Sequence, residues 1–392
     1  MTSQLPAAPW TLRPGLGALA SALGADFIRW VGGAVRDTLL GAQVQDVDCA
    51  TLHTPDRVID LCKKAGIRTV PTGIGHGTVT AVLSDGPVEI TTLRRDVATD
   101  GRRATIAFAT DWREDAARRD FTINALYAHP ETLAISDYFG GLKDLEERRV
   151  RFIGEAERRI AEDHLRILRY YRFQARFGAQ LDPEAEEACA AMADTLKGLS
   201  RERVADELLK LLALPDPHET VARMHSRGVL GVILPEACAA YVEALAKLVA
   251  AENAQRCERD PVRRLAALLP PSPDVAETCA ARLRLSKAQR ARLISAADRQ
   301  ASDADNAEAL AYRIGVDFAV DRLLLLGEDA RAMTDFVPPQ FPLKGRDVVA
   351  RGVAVGPEVA RVLQTVERQW VAEGFPSRAR VDAMLEEELR QS

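Results

Sequence analysis

Aromatic residues make up only 5% of this 392-residue chain, and cysteine occurs six times. None of the six (Cys49, Cys62, Cys189, Cys238, Cys257 and Cys279) stands in a Cys-x-x-Cys pair. Their low density excludes a disulfide-built scaffold and their spacing offers no zinc finger, so buried thiols in a reducing, cytoplasmic compartment are expected. No apolar run approaches the ~20 residues that a membrane-spanning helix needs, and the N-terminus lacks a basic-then-apolar signal pattern. Basic residues are not in excess either: 52 Lys+Arg face 57 Asp+Glu, a formal net charge of −5. That excludes a globally basic nucleic-acid binder, so any RNA contact has to use local patches. The six histidines (His53, His76, His129, His164, His218 and His225) include no His-Asp dipeptide and no pair at metal-ligand spacing. They are expected to be structural or surface residues. Repeats and low-complexity tracts are also missing.

What is present is a long chain with 47% hydrophobic residues, enough for two or more domains with cores of their own. Its texture changes once. Residues 1–145 mix strand and helix signals, with candidate strands at 27–31, 46–50, 77–83, 87–93 and 104–108. From about residue 150 the strand signal vanishes, and alanine, leucine, glutamate and arginine recur with helical periodicity. Pro215-Asp216-Pro217, Pro270-Pro271-Ser272-Pro273 and Pro338-Pro339 punctuate this helical part and mark expected joints.

One short run carries the chemistry. A strand-like segment, Phe27-Ile28-Arg29-Trp30-Val31, feeds into Gly32-Gly33-Ala34-Val35-Arg36-Asp37. Two adjacent glycines let a backbone approach a phosphate closely and present bare N–H donors. Val35 to Leu40 then reads as a short helix stopped by Gly41. Asp46 and Asp48 follow, two apart in a strand-like segment, so both carboxylates point to one face. That geometry can hold Mg²⁺ ions against a triphosphate. A Gly-Gly turn followed by an acidic strand edge is the plainer alternative for either piece alone. Together, at this spacing, they point to metal-dependent nucleotidyl transfer. A third carboxylate on a neighbouring strand usually completes such a site. Glu89, in Val88-Glu89-Ile90-Thr91, is the best-placed candidate, with an ordinary solvated strand residue as the alternative.

Three more segments follow in order: Arg118-Arg119-Asp120-Phe121-Thr122-Ile123-Asn124-Ala125-Leu126, Gly140-Gly141-Leu142-Lys143-Asp144-Leu145 and Glu162-Asp163-His164-Leu165-Arg166. With the glycine run they resemble the tRNA CCA-adding enzyme and bacterial poly(A) polymerase family, the class II tRNA nucleotidyltransferases of the DNA polymerase β superfamily. The resemblance covers about residues 27–180 and extends more loosely through the helical remainder. It implies an α+β fold: a mixed-sheet nucleotidyltransferase head (1–145), a helical neck with a base-selecting motif (146–205), a helical body (206–335) and an RNA-binding helical tail (336–392). It implies two Mg²⁺ ions on Asp46 and Asp48, the triphosphate in the Gly32–Gly33 cradle and Arg36 on phosphate, against a plain Arg36–Asp37 ion pair at a helix start.

The arginine segment reads as a helix over Arg118–Leu126, with Asp120 and Asn124 on one face. By resemblance it senses the sugar, with Arg119 and Asp120 near the ribose hydroxyls. The alternative is that Asp120 and Asn124 brace the helix. Residues 94–113, polar and arginine-rich, resemble a flexible loop tied to the switch from C to A addition, or form a solvated hairpin loop.

The sharpest inference concerns Asp163 and Arg166, three apart on an expected helix and so side by side. A carboxylate only accepts hydrogen bonds and a guanidinium only donates them. Cytosine presents an amino donor beside N3 and O2 acceptors, and adenine an amino donor beside N1. Both match this pair, whereas guanine and uracil set carbonyl against carboxylate and N–H against guanidinium. A site built on hydrogen bonds rejects such mismatches strongly. In isolation the pair would be an ordinary i,i+3 ion pair of ~0.2–0.5 kcal/mol. By resemblance Arg169, one turn on, supports the pair or the phosphates. The neck arginines Arg158, Arg159, Arg166, Arg169, Arg172 and Arg176 make that region basic enough to suit an RNA backbone. The expected function is template-independent addition of CCA to tRNA 3′ ends from CTP and ATP, with no membrane partner. Poly(A) addition to RNA, or addition of CC or A alone, remains the enzymatic alternative, and a non-catalytic RNA-binding relative is argued against by the intact Asp46/Asp48 pair.

Overall fold

A computed structural model describes residues 4–100, 103–333 and 335–391, and it divides into two compact units. The first comprises Met1–Leu214 and Ser226–Ile233, the second Pro215–His225 and Leu234–Ser392. The fold is α+β, as expected. All strands lie before residue 138, and among the described residues every later element is helical.

The first unit is built on a seven-stranded mixed sheet. Its strands are β1 (Ile28–Val31), β2 (Asp48–Thr51), β3 (Arg68–Gly73), β4 (Thr78–Leu83), β5 (Gly86–Thr92), β8 (Leu126–Ala128) and β9 (Ile135–Asp137), in the order β3-β4-β5-β2-β1-β8-β9. β1 runs antiparallel to both β2 and β8, while β2 and β5 are parallel. Alternation explains the placement of the middle strands. In β5, Val88 and Ile90 are buried and Glu89 between them is exposed; in β4, Val79 and Ala81 are fully buried. Strands β6 (Arg94–Asp100) and β7 (Arg103–Phe108) form a separate two-stranded hairpin, the second of the two expectations for this stretch, with β7 close to the candidate strand at 104–108. Gly101 and Arg102 of that stretch lie outside the described residues.

Helices α1 (Pro14–Leu23), α2 (Gly33–Leu39) and α3 (Pro55–Lys64) belong to the sheet region, and α4 (Trp112–Ala117) precedes the arginine motif. Then come α5 (Gly141–Glu146), α6 (Ala156–Glu162), α7 (Arg166–Phe177), α8 (Pro183–Ala191) and α9 (Arg201–Leu212). Two helix expectations are corrected here. Arg118–Leu126 is not a helix: α4 stops at Ala117, Thr122–Asn124 is one 3₁₀ turn and Leu126 begins β8. Tertiary pairing wins over local propensity. Phe121 is extended in a bridge to Phe152, the Thr122 amide donates to the Arg151 carbonyl, and the Ile153 amide donates to that of Asp120. Nor do Asp163 and Arg166 share one helix. Asp163 adopts extended angles (φ −152°, ψ 103°), ends α6, and accepts the Leu165 amide on its own side chain, an interaction that competes with helix continuation.

The second unit is helical. Its larger part packs Ala239–Gln255, Pro261–Ala267, Pro273–Arg282, Lys287–Ala297 and Val316–Leu326 around buried charges: Arg263 donates to both Glu252 and Asp321, and Arg264 to Glu252. A second cluster gathers Trp370, Val362, Val366, Val381, Met384 and Leu385 from the last two helices. The three proline clusters fall between helices, as expected.

Candidate active site

The turn after β1 needs its first glycine. Gly32 has φ +69° and ψ −123°, a conformation costly to residues with a Cβ. A Cβ there would meet only the Arg119 Nη1 at 3.6 Å and the Asn124 carbonyl oxygen at 4.0 Å. The turn is therefore a backbone cradle with an arginine nitrogen at its mouth.

The acidic residues gather on the neighbouring strands. Asp46 and Asp48 are exposed on either side of buried Val47, so they share one face; the regular strand starts only at Asp48. Asp48 lies directly beside Glu89 in the parallel register of β2 and β5. Burial first, then Glu89, push the Asp48 carboxyl above the ordinary aspartate range, with Asp46 adding to the effect and Arg119 opposing it.

Arg119 is held on two sides. Its Nε donates to the Tyr127 hydroxyl (3.0 Å) and its Nη2 to Asp115 (3.2 Å). Burial works against its charge, but Tyr127 and Asp115 outweigh burial and raise its pKa. Asp115 is itself buried, accepts from Tyr127 Oη and Arg118, and is held at about 2: burial raises it, and Arg119, Arg118 and Tyr127 more than compensate. Asp115 and Tyr127 escaped the sequence reading. The legible signal was Asp115 standing three and four residues before two arginines.

Asp120 and Asn124 do meet, through a tight turn instead of a helix face. Asn124 Nδ2 donates to Asp120 Oδ1 at 3.0 Å, and the Phe121 amide donates to the same oxygen at 2.8 Å. Arg169 grips the other oxygen, Nε at 2.7 Å and Nη2 at 2.6 Å. Arg36 turns inward: it is buried, donates to Asn124 Oδ1 at 2.6 Å and to Asp37 at 2.8 Å, and lies over the rings of Phe173 and Phe177. A continuous polar chain thus runs from the glycine turn through Arg36, Asn124, Asp120 and Arg169 to Glu207 on α9. The Gly140–Leu145 segment anchors the same turn from below. Asp137 caps it by accepting four amides, and Asp144 accepts from Thr122 Oγ1 at 2.6 Å.

At the break between α6 and α7, Asp163 and Arg166 each have protein partners and do not pair with each other through their side chains. Asp163 Oδ2 accepts from Arg203 Nη2 at 2.7 Å. Arg166 donates to Glu162 (2.8 Å) and to the carbonyls of Arg159 and Arg118. The expected basic neck is largely neutralised the same way: Arg159 pairs with Glu162, Arg172 with Glu207 and Arg176 with Asp37.

A glycine turn after the first strand, acids on β2 and its neighbour β5, and a helical extension behind a mixed sheet are the layout of a nucleotidyltransferase head followed by helices. Residues 28–151 match the poly A polymerase head domain, and residues 178–241 match the probable RNA and SrmB-binding site of polymerase A. The chain belongs to the CCA tRNA nucleotidyltransferase family. It is 37% identical over 371 residues to the mouse mitochondrial CCA tRNA nucleotidyltransferase 1, covering 89% of this chain and 83% of that one. The human counterpart is 37% identical over 377 residues with the same coverage. Among solved structures, the Bacillus stearothermophilus CCA-adding enzyme in complex with CTP superposes with a TM-score of 0.76 at 27% identity, over 97% of this chain and 99% of that one. No helix among the described residues is long and apolar enough to cross a membrane.

Proposed function

We propose that this protein adds C, C and A to the 3′ ends of tRNA from CTP and ATP without a nucleic-acid template. The observation that carries the reading is the Asp46–Asp48 face, flanked by Glu89 and set beside the Gly32 turn whose mouth holds Arg119. The donor set fits Mg²⁺. All three groups offer hard carboxylate oxygens, and burial first, then the charge of Glu89, raises Asp48. Among the described residues no three His, Cys, Asp or Glu side chains close a metal cage by themselves. Mg²⁺ suits that arrangement, since it keeps several waters and uses substrate phosphates as ligands. Asp46 and Asp48 would hold two such ions, with Glu89 as third carboxylate; when bound, they stabilise charge on the attacking and leaving oxygens.

The protein's own residues do the rest. The tRNA terminal 3′-hydroxyl attacks the α-phosphorus, the bond from it to the bridging oxygen breaks, and pyrophosphate leaves. The Gly32–Gly33 backbone cradles the triphosphate, with Arg119 Nη1 facing it. Arg119 and Asp120 are the proposed sensors of the sugar hydroxyls, with Asn124, Arg169 and Arg36 fixing the Asp120 turn. Arg36 supports this turn and is spent internally, so its part in phosphate binding is indirect. Asp163 accepts the amino group of cytosine or adenine, and Arg166 donates to the ring acceptor beside it; each has to exchange or share its present partner to do so. Four buried thiols, Cys49, Cys62, Cys189 and Cys279, and two unpaired ones nearer the surface suit a reducing, cytoplasmic setting. With tRNA lacking its CCA end, CTP alone should extend the RNA by two residues and CTP with ATP by three. ATP-only growth of long tails on unstructured RNA would replace this reading with poly(A) addition.

A further inference from the structure

Asp163 is pinned at both oxygens. Oδ1 accepts the Leu165 amide at 3.1 Å, and Oδ2 accepts from Arg203 Nη2 at 2.7 Å. Arg203 lies on α9, one turn before Glu207, whose carboxylate takes Arg172 at 2.6 Å and stands 3.7 Å from Arg169. Arg169 in turn grips Asp120. One face of α9 therefore supplies a cation to the acid at the base and an anion to the arginine behind the acid at the sugar. The Arg203 and Asp163 side chains are 38% and 31% exposed, so their pairing contributes little to stability. Its effect is on orientation.

Resting on the reading that Asp163 faces the base, we propose that Arg203 is a specificity-determining positioning residue. A carboxylate has about four acceptor directions, and two are occupied here. The remaining ones are fixed in space, free to take an amino group from cytosine or adenine without releasing Arg203. The same fixation stops the carboxylate from rotating away when uracil or guanine presents a carbonyl. Discrimination of this type depends on keeping the repulsive contact in place. Removing Arg203 leaves only the Leu165 amide as a tether, and the carboxylate can turn to relieve the clash. Rejection of the wrong base is then lost faster than use of the right one.

The test compares CTP with UTP, each alone, on full-length protein with tRNA lacking its CCA end. In Arg203→Ala the ratio of kcat/KM for CTP to that for UTP should fall by ~10-fold or more, as expected when a hydrogen-bonding site loses its rigidity. Arg203→Lys, which keeps a cation on the carboxylate, should retain most of the ratio. Because a ratio is independent of the active fraction, partial misfolding does not blur the result. Arg203→Ala added to Asp163→Ala should change the ratio no further, since the carboxylate it orients is gone. A uniform loss of both activities in Arg203→Ala, with the ratio unchanged, overturns the assignment and leaves Arg203 as a brace. If Asp163→Ala shifts the ratio and Arg203→Ala does not, only the Arg203 inference fails. If Asp163→Ala leaves it unchanged, the base-reading role of Asp163 fails too.

Discussion

Asp46, Asp48 and Glu89 have no ion-pair partner among the described residues, whereas Asp115, Asp120, Asp144 and Asp163 each hold at least one arginine. Of these, the three acids proposed to hold metal are thus the ones left without a neutralising arginine. Asp46→Ala or Asp48→Ala should therefore cut turnover by ~10²-fold or more, the scale of losing one electrostatic contact to a transition state. The melting temperature should hardly move, because neither carboxylate makes an ion pair and the raised Asp48 carboxyl adds no stability to the fold. Asp120 behaves in the opposite way. Burial pushes its carboxyl up, but Arg169 first, then Asn124 and the Phe121 amide, hold it at about 2. Its folded pKa lies below the unfolded value of about 3.9, so it contributes roughly 2 kcal/mol above about pH 4, lost as pH falls through about 2. Asp120→Asn should be less stable than wild type at pH 7 in urea unfolding, with the two curves converging towards pH 2. The same variant should prefer CTP over dCTP less strongly.

At the scale of elements, the outcome depended on whether local pattern or tertiary pairing decides the backbone. β4 and β5 were legible because buried residues alternate with more exposed ones along them, β1 because it is a short, mostly apolar run ahead of glycine, and the Gly32 turn because its positive φ favours glycine. β3 was not: most of its residues are exposed, and it contains Pro71. β8 and β9 are three residues each, too short to carry a period. The Arg118–Leu126 segment looks helical by composition, yet its fate is set by Phe152, Arg151 and Ile153, some thirty residues away, which no window can see. The residues of the candidate site were legible by type and spacing. Their partners Tyr127, Arg203 and Glu207 were not, since three-dimensional placement alone gives them meaning; Asp115 had only its spacing to Arg118 and Arg119. Packing of α5 against the 122–124 turn offers a test. A Cβ at Gly141 would lie 2.2 Å from the Thr122 carbonyl oxygen, a backbone atom that can yield only by moving the turn. Gly141→Ala should cost about 1–3 kcal/mol, measured by denaturant unfolding. It should also weaken CTP-over-dCTP preference, because Asn124 sits in that turn.

Across the whole molecule, a net charge of −5 sits with an RNA-directed activity because selection is local. Most neck arginines are committed to internal acids and do not form an unpaired basic strip. The first unit runs past the neck to Leu214 and regains Ser226–Ile233, which keeps α9, with Arg203 and Glu207, in the same compact body as the sheet. Sheet, turn and readers are thus parts of one packed unit. In the proposed function, side chains in this unit, with no template strand, choose C and A and reject G and U. The most direct measurement supplies all four ribonucleoside triphosphates at equal concentration to a tRNA lacking its CCA end and sequences the 3′ ends produced. CCA is expected on nearly every extended molecule, with no further growth. Ends of mixed composition, or runs of A beyond the third position, would contradict it.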